Sequence, residues 1–309
     1  MTPDEHWALF RADPRATPFQ SPAWLDAWWT HLGGGRRIDL AVPGAALPMF
    51  VWNDGGVRRL VPVAAGHSDY CDALIDPAVP GATDRLWEAL LATAAHWDEV
   101  LLPDLRRDSP LLGPVPAGWV AEDAPGEVCP VMPLPDAPPL LAGLSKSKRR
   151  KVVHDRNRAA ALGDVTEEMI GPDGLDEALA ALFTLHAGRW ARAGQAGVLA
   201  DPKVQAFHRA AAPALMATGL LRLAVVRHGG RIVAALLGFA DRRRGYSYIN
   251  GVDQDVPGQS FGTLAFACMI EDALAGGARE FHFLRGQEGY KYQWGAVDTV
   301  TVRRTIRRA

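Results

Sequence analysis

Residues 256–277 read VPGQSFGTLAFACMIEDALAGG: a Pro-Gly turn, a run with helical periodicity, and a Gly-Gly stop. Phe261, Leu264, Ala265, Cys268, Met269 and Ala273 recur at i, i+3, i+4 spacing, which predicts a helix from about Ser260 to Leu274 that Gly276-Gly277 ends. Upstream, LRLAVVRH and RIVAALLGFA flank Gly229-Gly230, the signature of a β-hairpin, and RGYSYINGVD reads as a third strand. Downstream, REFHFLRG supplies a further strand.

The first half of the chain repeats this order with little identity of letters. Strand-like runs flank Gly55-Gly56, HSDYCDALID reads as another short strand, and Pro80-Gly81 heads a helix whose Leu86, Leu90, Leu91, Ala94 and Trp97 share a face. DEVLLPDL closes the unit as a strand. About 25 residues separate the Gly-Gly turn from Pro-Gly in this copy and 28 in the other, the mark of an internal duplication. The fold class is therefore α/β (α+β): two tandem units, 1–135 and 136–309, each a mixed, largely antiparallel sheet flanked by helices. At 309 residues the chain has room for both. Between them, PVPAGWVAEDAPGEVCPVMPLPDAPPLLAGL is rich in proline and glycine and reads as a linker or crossing segment. A basic helix follows, SKSKRRKVVHDRNRAAALG, with Ser145 or Ser147 as its N-cap and Gly163 just past its end, then a second helix from about Leu175 to Arg192.

The two Pro-Gly helices differ in charge. In the second copy Gly258 and Gly262 flank Gln259 and Ser260, Thr263 adds a hydroxyl, and no acid stands in the first turn. Unpaired N–H groups at such a helix start favour a phosphate, and glycines let it approach the backbone. In the first copy Asp84 occupies that turn and would repel an anion. The second copy is the expected phosphate cradle and the first its structural twin.

Composition excludes several classes. A charged fraction of 22% and a formal net charge of −2 give no global field for DNA. No apolar run approaches 18 residues and the N-terminus lacks a basic, apolar leader, so the expectation is a cytoplasmic protein with no membrane span. Nine histidines lie scattered without metal-ligand spacing, and three distant cysteines suggest neither a disulfide framework nor a zinc knuckle, so no metal is expected. No GxSxG elbow or Walker loop occurs.

The strand–strand–strand–glycine loop–helix–strand order of the second half resembles the acyl-CoA-binding core of the GNAT acyltransferase superfamily. The pyrophosphate loop of that superfamily, Gln/Arg-x-x-Gly-x-Gly/Ala, is met by Gln259, Gly262 and the spacing between them, with Leu264 standing at the last position. The ending FHFLRGQEGYKYQWG, with the basic helix and TPFQSPAWLDAWW, resembles the FemAB-like and CelD-like branch, whose members carry tandem GNAT folds. The likeness runs from about Phe19 to Trp294.

That resemblance implies an N-acyltransferase moving an acyl group, acetyl or another, from acyl-CoA to an amine by direct attack, without a metal. The acceptor would be a small molecule or an envelope precursor. Gly258, Gln259, Ser260, Gly262 and Thr263 would hold the pyrophosphate, and the pantetheine groove would open where the strands holding YSYIN, with Tyr248, and EFHFL splay apart. Tyr290 would protonate the leaving thiolate, with Tyr292 as its rival. Glu288 is the nearest carboxylate and a candidate base or amine anchor, and Arg285 and Lys291 complete a charged cluster beside the groove. Asp69 and Tyr70, on a first-copy strand edge, are candidates for meeting the acceptor. The basic run Lys146, Lys148, Arg149, Arg150 and Lys151 is read as a solvated helix face or as a contact to phosphates of CoA or tRNA. Two alternatives stay open: a FemAB-type transferase using aminoacyl-tRNA, and a non-catalytic binding protein that keeps the groove.

Overall fold

The structure, a computed structural model, describes residues 1–256 and 260–309. It divides into two compact units, Met1–Val128 with Val300–Ala309, and Cys129–Thr299.

In the first unit, helices α1 (Pro3–Ala12) and α2 (Pro22–Leu32) precede strands β1 (Arg36–Val42), β2 (Ala45–Asp54), β3 (Val57–Pro62) and the two-residue β4 (Leu74–Ile75). Helix α3 (Ala82–Ala92), β5 (Glu99–Leu105) and β6 (Trp119–Val128) follow. The sheet runs β1-β2-β3-β5-β13-β6, where β13 (Val300–Arg308) is the last strand of the chain and β4 pairs with β2. Leu86, Trp87 and Leu90 of α3 pack on Leu47, Met49, Leu60, Val100 and Leu102 to make its core.

The second unit holds β7 (Val131–Pro133), the short α4 (Leu140–Gly143), α5 (Lys146–Leu162), β8 (Val165–Met169), α6 (Leu175–Arg192) and α7 (Pro202–Ala217). Then come β9 (Leu221–His228), β10 (Arg231–Ala240), β11 (Arg244–Val252), α8 (Phe261–Ala275), β12 (Glu280–His282) and α9 (Gly289–Gln293). Its sheet order is β7-β12-β11-β10-β9-β8. Helix α8 is apolar nearly all round and seals one face through Leu264, Phe266 and Ile270.

The duplication is real in topology, but its register along the chain is one strand away from the sequence reading. β3 runs parallel to β5 across α3, as β11 runs parallel to β12 across α8. The matching series are therefore β1-β2-β3-α3-β5 and β9-β10-β11-α8-β12. Gly55-Gly56 joins the second and third strands of its series, whereas Gly229-Gly230 joins the first and second. Both turns need glycine, with φ of 57° and 88° in one and 56° and 74° in the other, as a two-residue hairpin turn demands. The two turns look alike because hairpin chemistry is local and carries no memory of which hairpin it closes.

Two further expectations change. HSDYCDALID is not a third strand: only Leu74–Ile75 is extended in a ladder, and the residues before them form the buried loop between β3 and α3. The supposed linker contains β6 and β7, and residues 300–309, grouped by sequence order with the second half, pair as β13 with β5 and β6 of the first unit. Pro125 masked β6 in the sequence. It sits opposite Val302 beside a register shift in a strand at the sheet edge, where a missing N–H is tolerated.

Candidate active site

The site follows from how β11 leaves the sheet. It pairs with β12 only over Arg244–Tyr246 against Glu280–His282, then runs on to Val252 with the parallel partner gone. The register with β10 steps from Ile249↔Leu237 to Ser247↔Gly238, leaving Tyr248 in a bulge that re-aims the strand. The gap opens onto a cleft of about 430 Å³. Asn250 and Val252 of β11, Ser260, Gly262 and Thr263 at the start of α8, and Tyr290 of α9 all line it. Lys148 and Lys151 of α5, Arg189 of α6, and Trp294 complete the walls used below. A larger trough of about 680 Å³ in the first unit is lined by residues such as Trp28, Phe50, Trp52 and Leu101 and by no titratable side chain, so it offers no acid, base or cation.

Tyr290 is fixed from three sides. Its ring lies 5.3 Å from that of Phe266 and 6.3 Å, edge-on, from that of Phe283. Arg189 Nη1 donates to Asn250 Oδ1 at 2.9 Å. A guanidinium can only donate, so the Asn250 oxygen faces Arg189 and its amide nitrogen is left as the donor toward the Tyr290 hydroxyl, pulling against the rise that burial causes. The hydroxyl thus accepts from Asn250 and keeps its own proton to give. Burial first, then the charge of Glu288, holds Tyr290 well above the ordinary tyrosine range, so it stays protonated.

The sequence candidates separate around this centre. Ser260, Gly262, Thr263 and Tyr290 come together in the cleft. Gly258 and Gln259 lie outside the described residues. Leu264, the motif's departure, is 1% exposed in the α8 core and faces the sheet, so its side chain does not disturb the first turn. Tyr292 is half-exposed and donates to Asp298 at 2.7 Å, away from the cleft lining. Glu288 caps α9 and meets Lys291 Nζ at 2.9 Å. Lys291 itself is 2% exposed and donates to the carbonyls of Leu284, Arg285 and Gly286 at 3.2, 2.6 and 3.0 Å. Lys291 and Glu288 brace the turn that delivers Tyr290, and neither they nor Arg285 line the cleft. Tyr248 packs on His208 and Phe239.

Asp69 and Tyr70 are interior residues of the first unit, 7% and 1% exposed. The Tyr70 ring lies beneath Arg106, with 5.8 Å between guanidinium carbon and ring centre. Next to them, Asp72 Oδ1 accepts from Ser109 Oγ and the Ala73 N–H, both at 2.8 Å, while its buried Oδ2 meets no partner among the described residues. Burial pushes Asp72 up to about 6 against the opposing pull of Ser109, Arg106 and Arg15. The folded value lies above the unfolded one, so the fold loses stability as pH rises from about 4 to 6 and regains none above it. Asp72→Asn is expected to raise stability at pH 7.5 by on the order of 2 kcal/mol and to leave it nearly unchanged at about pH 3, below the unfolded value. Denaturant titrations at the two pH values check this, and equal effects at both would refute it.

Sequence reasoning missed Lys148 as an individual. It was one of five cations on a helix, yet it alone of them is buried. Positions 148, 152, 155 and 159 form the buried stripe of α5, so the lysine stands where helical spacing calls for an apolar side chain. That mismatch was readable.

Among the described residues no group of histidines, cysteines and carboxylates suits a metal ion, and no helix is long and apolar enough to cross a membrane.

Residues 146–292 match the family described as acetyltransferase (GNAT) domain. No curated protein matches the chain in sequence. Among solved structures, FemX superposes with a TM-score of 0.71 at 13% identity, over 100% of this chain and 96% of that one. A conserved protein of unknown function from Bacteroides thetaiotaomicron gives 0.68 at 14% identity, over 100% and 98%. L-PGS from Bacillus licheniformis gives 0.60 at 14%, over 93% and 92%. At these identities the likeness is one of fold, and it extends over both units.

Proposed function

We propose that the chain, whose residues 146–292 match the acetyltransferase (GNAT) domain family, is an N-acyltransferase that carries an acyl group from acyl-CoA to an amine. The observation that supports this reading most is the Arg189–Asn250–Tyr290 chain, which presents a phenolic proton to the cleft. The amine nitrogen attacks the thioester carbonyl carbon, the C–S bond breaks, and the departing thiolate takes the Tyr290 proton. The phenolate then recovers a proton from the new amide nitrogen. Backbone N–H groups of β11 past its last rung with β12 are the candidate donors to the carbonyl oxygen, a contribution of about 100- to 1000-fold in related chemistry. Glu288 has no part in this scheme, because it is tied to Lys291 outside the cleft. The acceptor is an amine of a small molecule or an envelope precursor.

One observation favours a second reading. The whole-chain likeness to FemX suits a donor of the aminoacyl-tRNA kind, whose leaving group is a ribose alkoxide that needs the same proton. The donors are separated by calorimetric titration of the chain with acetyl-CoA, longer acyl-CoAs and aminoacyl-tRNA, followed by transfer assays with a panel of amines.

Gly262→Asp sharpens that titration. A Cβ at Gly262 comes within 3.1 Å of only one described neighbour, a Val252 methyl, and an acid in a helix's first turn favours the helix, so the fold should survive. A carboxylate there meets the donor's phosphates, and binding is expected to weaken by about 100-fold with an unchanged melting temperature. Wild-type affinity in the variant would remove the α8 start from the donor site.

A further inference from the structure

Chemistry at Tyr290 needs an amine beside the thioester, and the charge of the cleft selects which amines can stand there. Lys148, Lys151 and Arg189 line it, and among the described residues no carboxylate or histidine does. An amine travels largely as its ammonium, which such a wall repels. An amine that carries its own anion arrives without net charge and can turn that anion to the wall. Two of the cations lie elsewhere than the reacting bond: Lys148 stands on the ring of Trp294, and Lys151 joins Asp155 to Ser260 at the start of α8. Arg189 is tied instead to Asn250, and through it to the Tyr290 hydroxyl.

Only one corner of that guanidinium is used. Nη1 donates to Asn250 Oδ1 at 2.9 Å, its single hydrogen bond among the described residues, and no carboxylate of the described residues pairs with it. The opposite edge, Nε with Nη2, is the one this chain uses elsewhere to grip carboxylates. Arg304 takes both oxygens of Asp123 with it, each at 2.7 Å, and Arg156 takes Glu167 at 3.0 and 2.8 Å. One turn beyond Arg189, Arg192 is paired with Asp255. The edge of Arg189 is also held in place. Trp190 Nε1 donates to His186 Nε2 at 2.9 Å, and α6 lies so close on β11 that a Cβ at Gly251 would come within 2.7 Å of the His186 backbone nitrogen. Burial, then the charge of Arg189, holds His186 down to about 4, so it stays neutral and adds no second cation.

We propose that the Nε–Nη2 edge of Arg189 receives the carboxylate of the acceptor, so that the acceptor is an amino acid. A guanidinium edge and a carboxylate match in shape, with two parallel N–H···O bonds. Only the Asn250 amide separates Arg189 from Tyr290, so the anion and the reacting nitrogen lie a few bonds apart, the span of an amino acid. The ammonium gives one proton to water before it attacks, and the carboxylate takes no part in making or breaking bonds. The inference rests on the acyltransferase reading and narrows its acceptor.

The test gives the full chain acetyl-CoA and a panel of amino acids, each set beside its own carboxamide, which keeps the amine and removes the anion. For the preferred side chain, wild-type kcat/KM should favour the acid over the amide by about 10- to 100-fold, as for a charged hydrogen bond. Arg189→Gln keeps an N–H for Asn250 and should bring that ratio close to one, and Arg189→Lys should keep part of it. Melting curves show whether each variant folds. Both variants can lose turnover because Asn250 is less well held, but a role in positioning alone lowers acid and amide together and leaves their ratio intact. Equal use of acid and amide by the wild type, or an unchanged ratio in Arg189→Gln, overturns the carboxylate site and leaves the acyltransferase standing. If the wild type acetylates no amine, the acyltransferase reading falls, and binding of the N-acetylated acids and amides by calorimetry decides the site. Binding of an acid that Arg189→Gln loses would keep the carboxylate site, and binding of acid and amide alike, or of neither, would end it.

Discussion

Tyr290→Phe lowers kcat by about 100- to 1000-fold while leaving donor KM and the melting temperature close to wild type. The ring keeps its place because Phe266 and Phe283 hold it by contact, and only the proton is lost. A sharper version of the same expectation uses Asn250→Asp, which is nearly isosteric. An aspartate accepts from Arg189, as Asn250 does, but it also accepts from Tyr290. The phenolic proton then points into the wall instead of the cleft, and kcat falls by a similar factor although every atom of the tyrosine remains. Combining the two substitutions adds little, since each removes the same proton. Steady-state kinetics that separate kcat from KM make the measurement. An Asn250→Asp enzyme with normal kcat would show that the orientation of this hydroxyl does not matter, and Tyr290 would lose its role as acid.

How much of this was legible follows from which signals are local. Gly55-Gly56 and Gly229-Gly230 marked hairpins correctly because a two-residue turn needs positive φ wherever it occurs. Their position within each series was hidden, since it depends on which strand pairs in parallel with β5 or β12. The periodicity of residues 261–274 found α8, and the absence of acid in its first turn found one wall of the cleft. Tyr290 could be singled out only through the resemblance of its surroundings, for nothing local separates it from Tyr292. The difference between them is tertiary: one packs on Phe266 and the other reaches Asp298. Asp69 and Tyr70 misled for the opposite reason. Polar letters beside strand-like letters suggested an exposed edge, while Gln20, reaching the Tyr70 carbonyl from 50 positions away at 2.8 Å, helps bury the loop. Lys291 looked like part of a solvated charge cluster, because sequence does not show backbone carbonyls as acceptors.

That last residue carries the other large expected effect, on stability. Beyond β12 the chain adopts two left-handed conformations, at Leu284 with φ 57° and Gly286 with φ 102°. The first is unfavourable for a branched side chain and needs support from its surroundings. Lys291 supplies it, drawing three successive carbonyls onto one ammonium. Lys291→Met keeps much of the volume and removes all of these bonds, leaving enclosed carbonyls without a donor. The expected cost is about 3 kcal/mol, seen as a fall in melting temperature of roughly 6–12 °C. Glu288→Gln provides the contrast. Its side chain is 52% exposed, so the ion pair it makes is worth at most about 1 kcal/mol, and the carbonyl cage persists without it. A cluster held together by charge alone would respond equally to either substitution, and a Lys291→Met protein that melts with the wild type would sink the cage. Because the same turn delivers Tyr290 to the cleft four residues after Gly286, activity in Lys291→Met should fall further than the fraction unfolded explains. Measuring kcat well below the melting transition separates the two, since only a displaced hydroxyl lowers turnover in protein that is still folded.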